Sequence, residues 1–324
     1  MSLMFDREAA DEGVETDLRL EVGRACFEWQ FHYTGTPRAE TVHIWLRNGL
    51  QETALECLGV AAEEEPLRAI LLQPHLWNGV RDPYLYTLEV SLWDEEGNCT
   101  DRICRPIPLR MTGLQAGKGF VLNGVPFDLR TVQYGMPEQA QTAQWQRRFM
   151  EDLQKLLSLG ANSVYIEQGR GLTKPFLQLC DRLGILILTD MSYLPYDEEM
   201  ENFGGMPVLR GGTGSLILED NSLTSEFYRY KARWNQEPFV YIVPESVKRQ
   251  EDGCYCAAVY SSCHRIALYS DGRLFEFMSG QEKFVFQDIP AKGPCVMLAA
   301  EGDGCSETFS VHKTFTKLSR IGDN

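Results

Sequence analysis

One stretch constrains the fold more than any other, the run from Gly119 to Asp190. It reads GFVLNGVPFDLRTVQYGMP, then a long amphipathic segment, then NSVYIEQ, TKPFLQLCDRLG and ILILTD. VYI and ILIL are short aliphatic runs of the kind found in strands buried on both faces. Helical spacing fills the gap before VYI. Trp145, Phe149, Leu153, Leu156 and Leu157 recur every three or four residues, which places them on one helix face. Gly160 and Gly184 stand where helices end in the left-handed conformation. Strand, helix, strand, helix, strand is the order of βαβ units and predicts a parallel sheet covered by helices.

The same stretch resembles the opening of the catalytic barrel of glycoside hydrolase family 2, the family of β-galactosidases, β-glucuronidases and β-mannosidases. Gly119, Phe120, Leu122, Asn123, Gly124, Pro126 and Phe127 match its hairpin G-F-x-L-N-G-x-P-F, and Leu129 and Arg130 match the strand that follows. Asp152, Leu153, Leu159, Gly160 and Asn162 match the next helix and its end. LCDRLGILILTD, from Leu179 to Asp190, is similar to the family's L-C-D-x-L-G-L-L-V-x-D-E. Upstream, Pro74, Leu76, Trp77, Pro83, Leu85, Tyr86 and Leu88 resemble the family's P-x-L-W-S-x-x-x-P-x-L-Y-x-L. Downstream, Phe227, Tyr228, Tyr230, Lys231, Ala232, Trp234, Asn235 and Pro238 resemble the segment that leaves the barrel. Val259, Tyr260, Ser261, Cys263, Leu268, Gly272, Phe286, Asp288, Ile289 and Pro290 resemble a C-terminal immunoglobulin-like module.

Outside the central stretch the pattern is that of short strands. LRLEV, CFEWQFHY, VHIWLRN and LYTLEVSLW alternate or run apolar between turn residues, which predicts an antiparallel β-sandwich of immunoglobulin type. Trp77 reads as a packed aromatic of that sandwich rather than a sugar-stacking one. After Asp190 comes a proline- and glycine-rich loop, then the strand candidate SLILEDN and a helix over LTSEFYRYKARWN with Phe227, Tyr230 and Trp234 on one stripe. Strands return from Phe239, and Asp271-Gly272 is a hairpin turn. The organisation expected is a polar leader over 1–14, a sandwich over 15–112, an abridged α/β domain over 113–235, a second sandwich over 236–318 and a tail over 319–324. The fold class is multidomain α/β plus all-β, with two immunoglobulin-like sandwiches flanking an incomplete (β/α) barrel.

The resemblance implies a retaining glycosidase, whose two carboxyl groups stand about 5–5.5 Å apart. In the family the acid/base glutamate follows an asparagine after the fourth strand, and the nucleophile ends the seventh. No Asn-Glu dipeptide occurs in this chain. The residues from Gly113 to Asn235 also amount to about half of the ~250 that a closed barrel takes. The positions after the first two strands depart from the family pattern as well. Thr131, Val132, Gln133 and Tyr134 follow Arg130 without a histidine, and Glu167, Gln168, Gly169 and Arg170 follow the second strand. The reading is therefore a non-catalytic remnant that binds carbohydrate or takes part in assembly. The rival is an active β-glycosidase with relocated carboxylates or a partner subunit. The carboxylates available for relocation at strand ends are Glu167, Asp190 and Glu219, and the polar residues placed to touch a sugar are Arg130, Gln133 and Gln168. An incomplete barrel leaves an open sheet edge, for which a second copy of the chain is one cover.

Composition removes other classes. A net charge of −15 over 324 residues argues against nucleic acid, which demands an excess of Lys and Arg. No apolar run reaches the ~20 residues of a membrane span, and MSLMFDREAADEGVE lacks the apolar centre of a signal peptide. Ten cysteines at no framework spacing read as reduced thiols in a cytoplasmic protein. Cys254 and Cys256 are two apart, whereas tetrahedral zinc sites use C-x₂-C pairs, so no metal is assigned. His264 and His312 lack a nucleophile at triad spacing, and no phosphate-binding or dinucleotide fingerprint is present, so no cofactor is assigned either.

Overall fold

The structure, a computed structural model, describes residues 14–31, 41–49, 51–60, 66–135, 143–167, 172–189, 206–210, 214–290 and 295–312. Among the described residues β-strands predominate, accompanied by three α-helices: α1 (Ala143–Leu159), α2 (Lys174–Leu183) and α3 (Ser225–Trp234). The chain divides into two compact units. The first comprises residues 1–131, 136–140 and 162–205, and the second 132–135, 141–161 and 206–324.

In the first unit, β1 (Val14–Glu21), β2 (Arg24–Phe31) and β5 (Leu67–Leu72) form one antiparallel sheet in the order β1-β2-β5. A second sheet runs β4-β3-β6-β7, from β3 (Thr41–Arg47), β4 (Thr53–Val60), β6 (Tyr86–Trp93) and β7 (Cys99–Ile107). The period-two alternation read in the sequence is what builds the core between them. Val42, Ile44 and Leu46 of β3 alternate inward and meet Ala25, Phe27 and Trp29 of β2 and Leu88 and Val90 of β6. The outward row of β3 is His43, Trp45 and Arg47.

A three-stranded sheet follows, from β8 (Thr112–Gln115), β9 (Gly119–Leu122) and β10 (Val125–Pro126). The β9–β10 loop is Asn123-Gly124, with φ of 54° and 78°. Both residues are left-handed, as a two-residue hairpin of the twist-compatible type requires, and this explains the Asn-Gly pair. β11 (Thr131–Gln133) spans the boundary between the units. β12 (Ser163–Tyr165) and β13 (Leu186–Leu188) pair in parallel, with α2 as their crossover. α2 ends at Gly184, with φ of 76°. A Cβ there would lie 2.4 Å from the backbone of Gly79, so glycine is needed both for the turn and for the approach.

In the second unit, α1 buries Phe149, Leu153, Leu156 and Leu159. Gly160 closes it with φ of 91°, and the Trp234 carbonyl sits 2.6 Å from where a Cβ would be. Thr224 caps α3, accepting from the Phe227 N–H. Two sheets complete the unit. One joins β14 (Val240–Ile242), β15 (Lys248–Arg249), β16 (Tyr255–Ser261) and β19 (Glu282–Ile289). The other runs β18-β17-β20-β21, from β17 (Arg265–Ser270), β18 (Arg273–Ser279), β20 (Cys295–Gly302) and β21 (Cys305–His312). Val259, Phe284 and Phe286 from the first meet Ile266, Leu268 and Leu298 from the second in one core. Asp271-Gly272 makes the expected left-handed hairpin turn, with φ of 48° and 75°.

Two segments differ from the sequence reading. SLILEDN makes a single antiparallel bridge, Ile217 to Leu223, instead of a strand. The Asp220 carboxylate accepts from the N–H and hydroxyl of Ser222, and Asn221 is left-handed with φ of 70°, so the chain turns back at once. Val208, inside the segment read as loop, bridges Gln133 in parallel. Gln133 N–H donates to the Pro207 carbonyl and its own carbonyl accepts from Leu209 N–H. Among the described residues no helix is long and apolar enough to cross a membrane.

Candidate functional site

In parallel α/β sheets, chemistry collects at the C-terminal ends of the strands. In the first unit that end of β12 carries Glu167, which is exposed. Asp190 and Gln168 lie outside the described residues. Arg130 stands at the opposite end of the strands. Its N–H donates to Asn162 Oδ1 at 2.8 Å, and its carbonyl accepts from Asn162 N–H at 3.1 Å, just before β12 begins. Asn162 also donates from Nδ2 to the Asp128 carbonyl at 2.7 Å, and its carbonyl accepts from Leu186 N–H. Thr131 and Ser163 hydroxyls meet at 2.7 Å one step further on. The half-buried Arg130 guanidinium lies 3.9 Å from Asp128. Burial pulls its pKa down, Asp128 opposes that, and the neighbouring Arg81 adds to it. Arg130 and Glu167 are thus at opposite ends of one parallel layer and do not form a common site.

Trp77 is completely buried. Its indole N–H donates to the Asp181 carbonyl at 2.8 Å, and the Arg110 guanidinium lies 4.5 Å above its ring. Arg110 also pairs with the Asp181 carboxylate. No face of Trp77 is left for a ligand; it is packed as expected, but against Asp181 of α2 and Arg110 rather than within the sandwich core. Cys180, next in sequence to Asp181, is buried, which pushes its thiol well above the usual range.

The second unit contains the best-built charged cluster. Asp152 on α1 is wholly buried. Arg210 grips it through two nitrogens, Nε at 3.0 Å from both carboxylate oxygens and Nη2 at 2.6 Å from Oδ1. The Tyr134 hydroxyl donates to Oδ2 at 3.3 Å. Arg210 reaches on to Asn221 Oδ1 and the Leu218 carbonyl. Burial, then the Asp152 charge, raises the Tyr134 pKa far above its ordinary value. Such an arrangement fixes a geometry, because the carboxylate accepts donors on both oxygens and faces no solvent. The sequence reading gave Asp152 only as a motif match and did not single out Arg210. The one available signal was an acid in the middle of an apolar helix face.

Glu219 lies in the tight turn between Ile217 and Leu223 and is exposed. Gln133 is half-buried, and its backbone is engaged on both sides by 207–209. Of the described carboxylates, Glu307 on β21 is held above the ordinary range, by burial, against a hydrogen bond it accepts from Ile242 N–H. It belongs to the second-unit sheets rather than to a parallel strand end. Among the described residues no three His, Cys, Asp or Glu side chains converge as metal ligands would.

Residues 38–110 match the family model of the glycosyl hydrolases family 2. A β-glucuronidase of Bacteroides fragilis is 27% identical over 131 residues, which is 40% of this chain and 19% of that protein. The β-galactosidase BoGH2A of Bacteroides ovatus is 33% identical over 119 residues, 36% of this chain and 14% of that protein. The chain therefore aligns with less than a fifth of either of these relatives. Among solved structures, an FMN-binding β-glucuronidase from Facaelibacterium prausnitzii L2-6 superposes with a TM-score of 0.76 at 14% identity, over 95% of this chain and 74% of that one. A β-glycosidase from Bacteroides vulgatus superposes at 0.73 with 12% identity, over 92% of this chain and 64% of that one. At such identities the likeness is one of fold.

Proposed function

The chain is a relative of the family 2 glycosyl hydrolases, and from that premise we propose that it is a non-catalytic form of their scaffold that binds carbohydrate. The observation that carries the reading is how its carboxylates are engaged. A retaining glycosidase needs an acid whose pKa is raised by apolar surroundings beside a second, ionised carboxylate. Here the strand-end Glu167 and the turn residue Glu219 are exposed, and buried Asp152 is taken up by Arg210 and Tyr134. The shortness of the segment from Gly113 to Asn235, about half of a closed barrel, supports the same reading. So do the missing Asn-Glu pair and the altered residues after Arg130.

On this reading the chain has three parts, immunoglobulin-like sandwiches over 15–112 and 236–318 and an abridged barrel over 113–235. A second copy of the chain is the cover for the open sheet edge. Ten thiols at no framework spacing support a cytoplasmic setting. The ligand class is taken from the relatives, a β-glucuronidase and a β-galactosidase. The test pairs turnover of chromogenic β-glucuronides and β-galactosides with calorimetric binding of the corresponding sugars. Binding without turnover is the expected result. Turnover that Glu167→Gln or Glu219→Gln abolishes would overturn it in favour of an active enzyme with relocated carboxylates.

A further inference from the structure

We propose that the groove between β7 and α2 in the first unit is a binding site for a small hydroxylated organic anion. The groove has a volume of about 440 Å³. That falls within the roughly 300–1,000 Å³ of small-molecule sites and is far more than a bare inorganic ion fills. Among the described residues three cations line it, Arg102, Arg105 and Lys174, against one carboxylate, Asp101. The chain as a whole has 46 acidic and 31 basic residues, so an average face of it is acidic. A concave, cation-rich surface runs against that background and attracts anions out of it.

The sides of the groove are built by regular geometry. β7 is the last strand in the order β4-β3-β6-β7, so side chains from both of its faces, and its outer backbone edge, border the groove. Lys174 and Gln178 are four apart on α2, which places them on one side of the helix. Arg102 is held in place from behind. Its Nη2 lies 2.6 Å from Oε1 of Glu89, a carboxylate whose side chain is 10% exposed. Glu89 is steadied in turn by Arg47 Nε at 3.3 Å. A guanidinium has five donors in a rigid fork, so the pair with Glu89 leaves further donors on Arg102 for a carboxylate or phosphate.

The lining also selects against other ligand classes. Among the described residues that line it, Ile103 is the one aliphatic side chain, which is too little for an apolar ligand. The Gln178 amide and the outer edge of β7 offer donors and acceptors that suit hydroxyl groups. A sugar acid and a sugar phosphate share this chemistry, an oxyanion on a polyhydroxylated frame.

The test is titration calorimetry of the whole chain with glucuronate, glucose 6-phosphate, glucose and inorganic phosphate. The two hydroxylated anions bind, and the tighter of them identifies the oxyanion. Lys174→Gln weakens that binding roughly tenfold or more, the loss of one charge-assisted hydrogen bond. Gln178→Glu removes no cation and places a like charge in the groove, so it weakens binding while leaving the circular dichroism spectrum unchanged. Raising the salt concentration weakens it too. Failure of both hydroxylated anions to bind, or binding unchanged in Gln178→Glu, overturns the proposal. Inorganic phosphate binding as tightly as glucose 6-phosphate overturns the organic class. Glucose binding that ignores both variants leaves the carbohydrate-binding reading standing and gives this groove no part in it.

Discussion

Replacing Asp152 by alanine tests whether the second unit is organised around its buried ion pair. Asp152 has a side-chain exposure of 1% and Arg210 one of 14%. Removing one partner of such a pair strands the other charge without solvent and typically costs about 3–5 kcal/mol. Arg210 would keep Asn221 Oδ1 and the Leu218 carbonyl as neutral acceptors, which sets the expectation at the lower end, about 3 kcal/mol. That is more than a hundredfold in the folding equilibrium and a large share of the ~5–15 kcal/mol that holds a domain folded. The assay is urea unfolding with hydrogen exchange of the α1 amides as the local probe. A companion variant, Asp152→Leu with Arg210→Met, removes both charges and should cost less than the single change. Tyr134→Phe should cost only ~0.5–1.5 kcal/mol, since it deletes one long hydrogen bond. A loss below about 1 kcal/mol for Asp152→Ala, on the same scale as an exposed pair, would refute the view that this pair sets the geometry of 134, 152, 210 and 221.

Two other expectations concern pH and backbone geometry. Burial raises the Glu307 pKa, so the folded chain holds that proton more tightly than the unfolded chain does. The resulting stability is present below the ordinary glutamate value of ~4.3 and is lost as pH rises through the raised folded value. Glu307→Gln keeps an acceptor for Ile242 N–H and should unfold at the same or a higher temperature than the parent at pH 7, with the difference vanishing in acid; a lower melting temperature at pH 7 contradicts the burial argument. Gly184→Ala puts a Cβ 2.4 Å from the Gly79 backbone in a left-handed residue. Strain of about 1–3 kcal/mol from the conformation, with the clash added, should lower the melting temperature by several degrees, and a neutral result would show that α2 ends differently.

The sequence was legible wherever structure is set by neighbours along the chain. The Asn-Gly and Asp-Gly hairpins need only two left-handed residues, and Asn123-Gly124 and Asp271-Gly272 supply them. Gly160 and Gly184 mark helix ends for the same local reason. Phe149, Leu153 and Leu156 announced the buried face of α1 by spacing alone. Where the deciding partner is distant, the reading fell short. Asp152 is a lone acid on an apolar helix face until Arg210, from a glycine-rich segment, closes on it. Val208 has no strand pattern of its own and pairs because Gln133 offers an edge. SLILEDN has a strand's composition, but the Asp220–Ser222 bonds fold it back first. Arg130 shares a sequence neighbourhood with Gln133 and a motif with sugar-binding enzymes, yet strand direction puts it at the end away from Glu167.

The bonding of Asn162, through its backbone and both side-chain ends, fastens the parallel layer like a hem stitched along one side of a cloth. Alignment of β12 with its surroundings is decided there, before the strand has run its length. Toward the opposite margin the layer is still joined, Ile166 N–H to the Leu188 carbonyl, but the exposed Glu167 shares none of the bonds of Asn162. That one position is open to rewriting, by drift or by design, with the alignment set at Asn162 left intact.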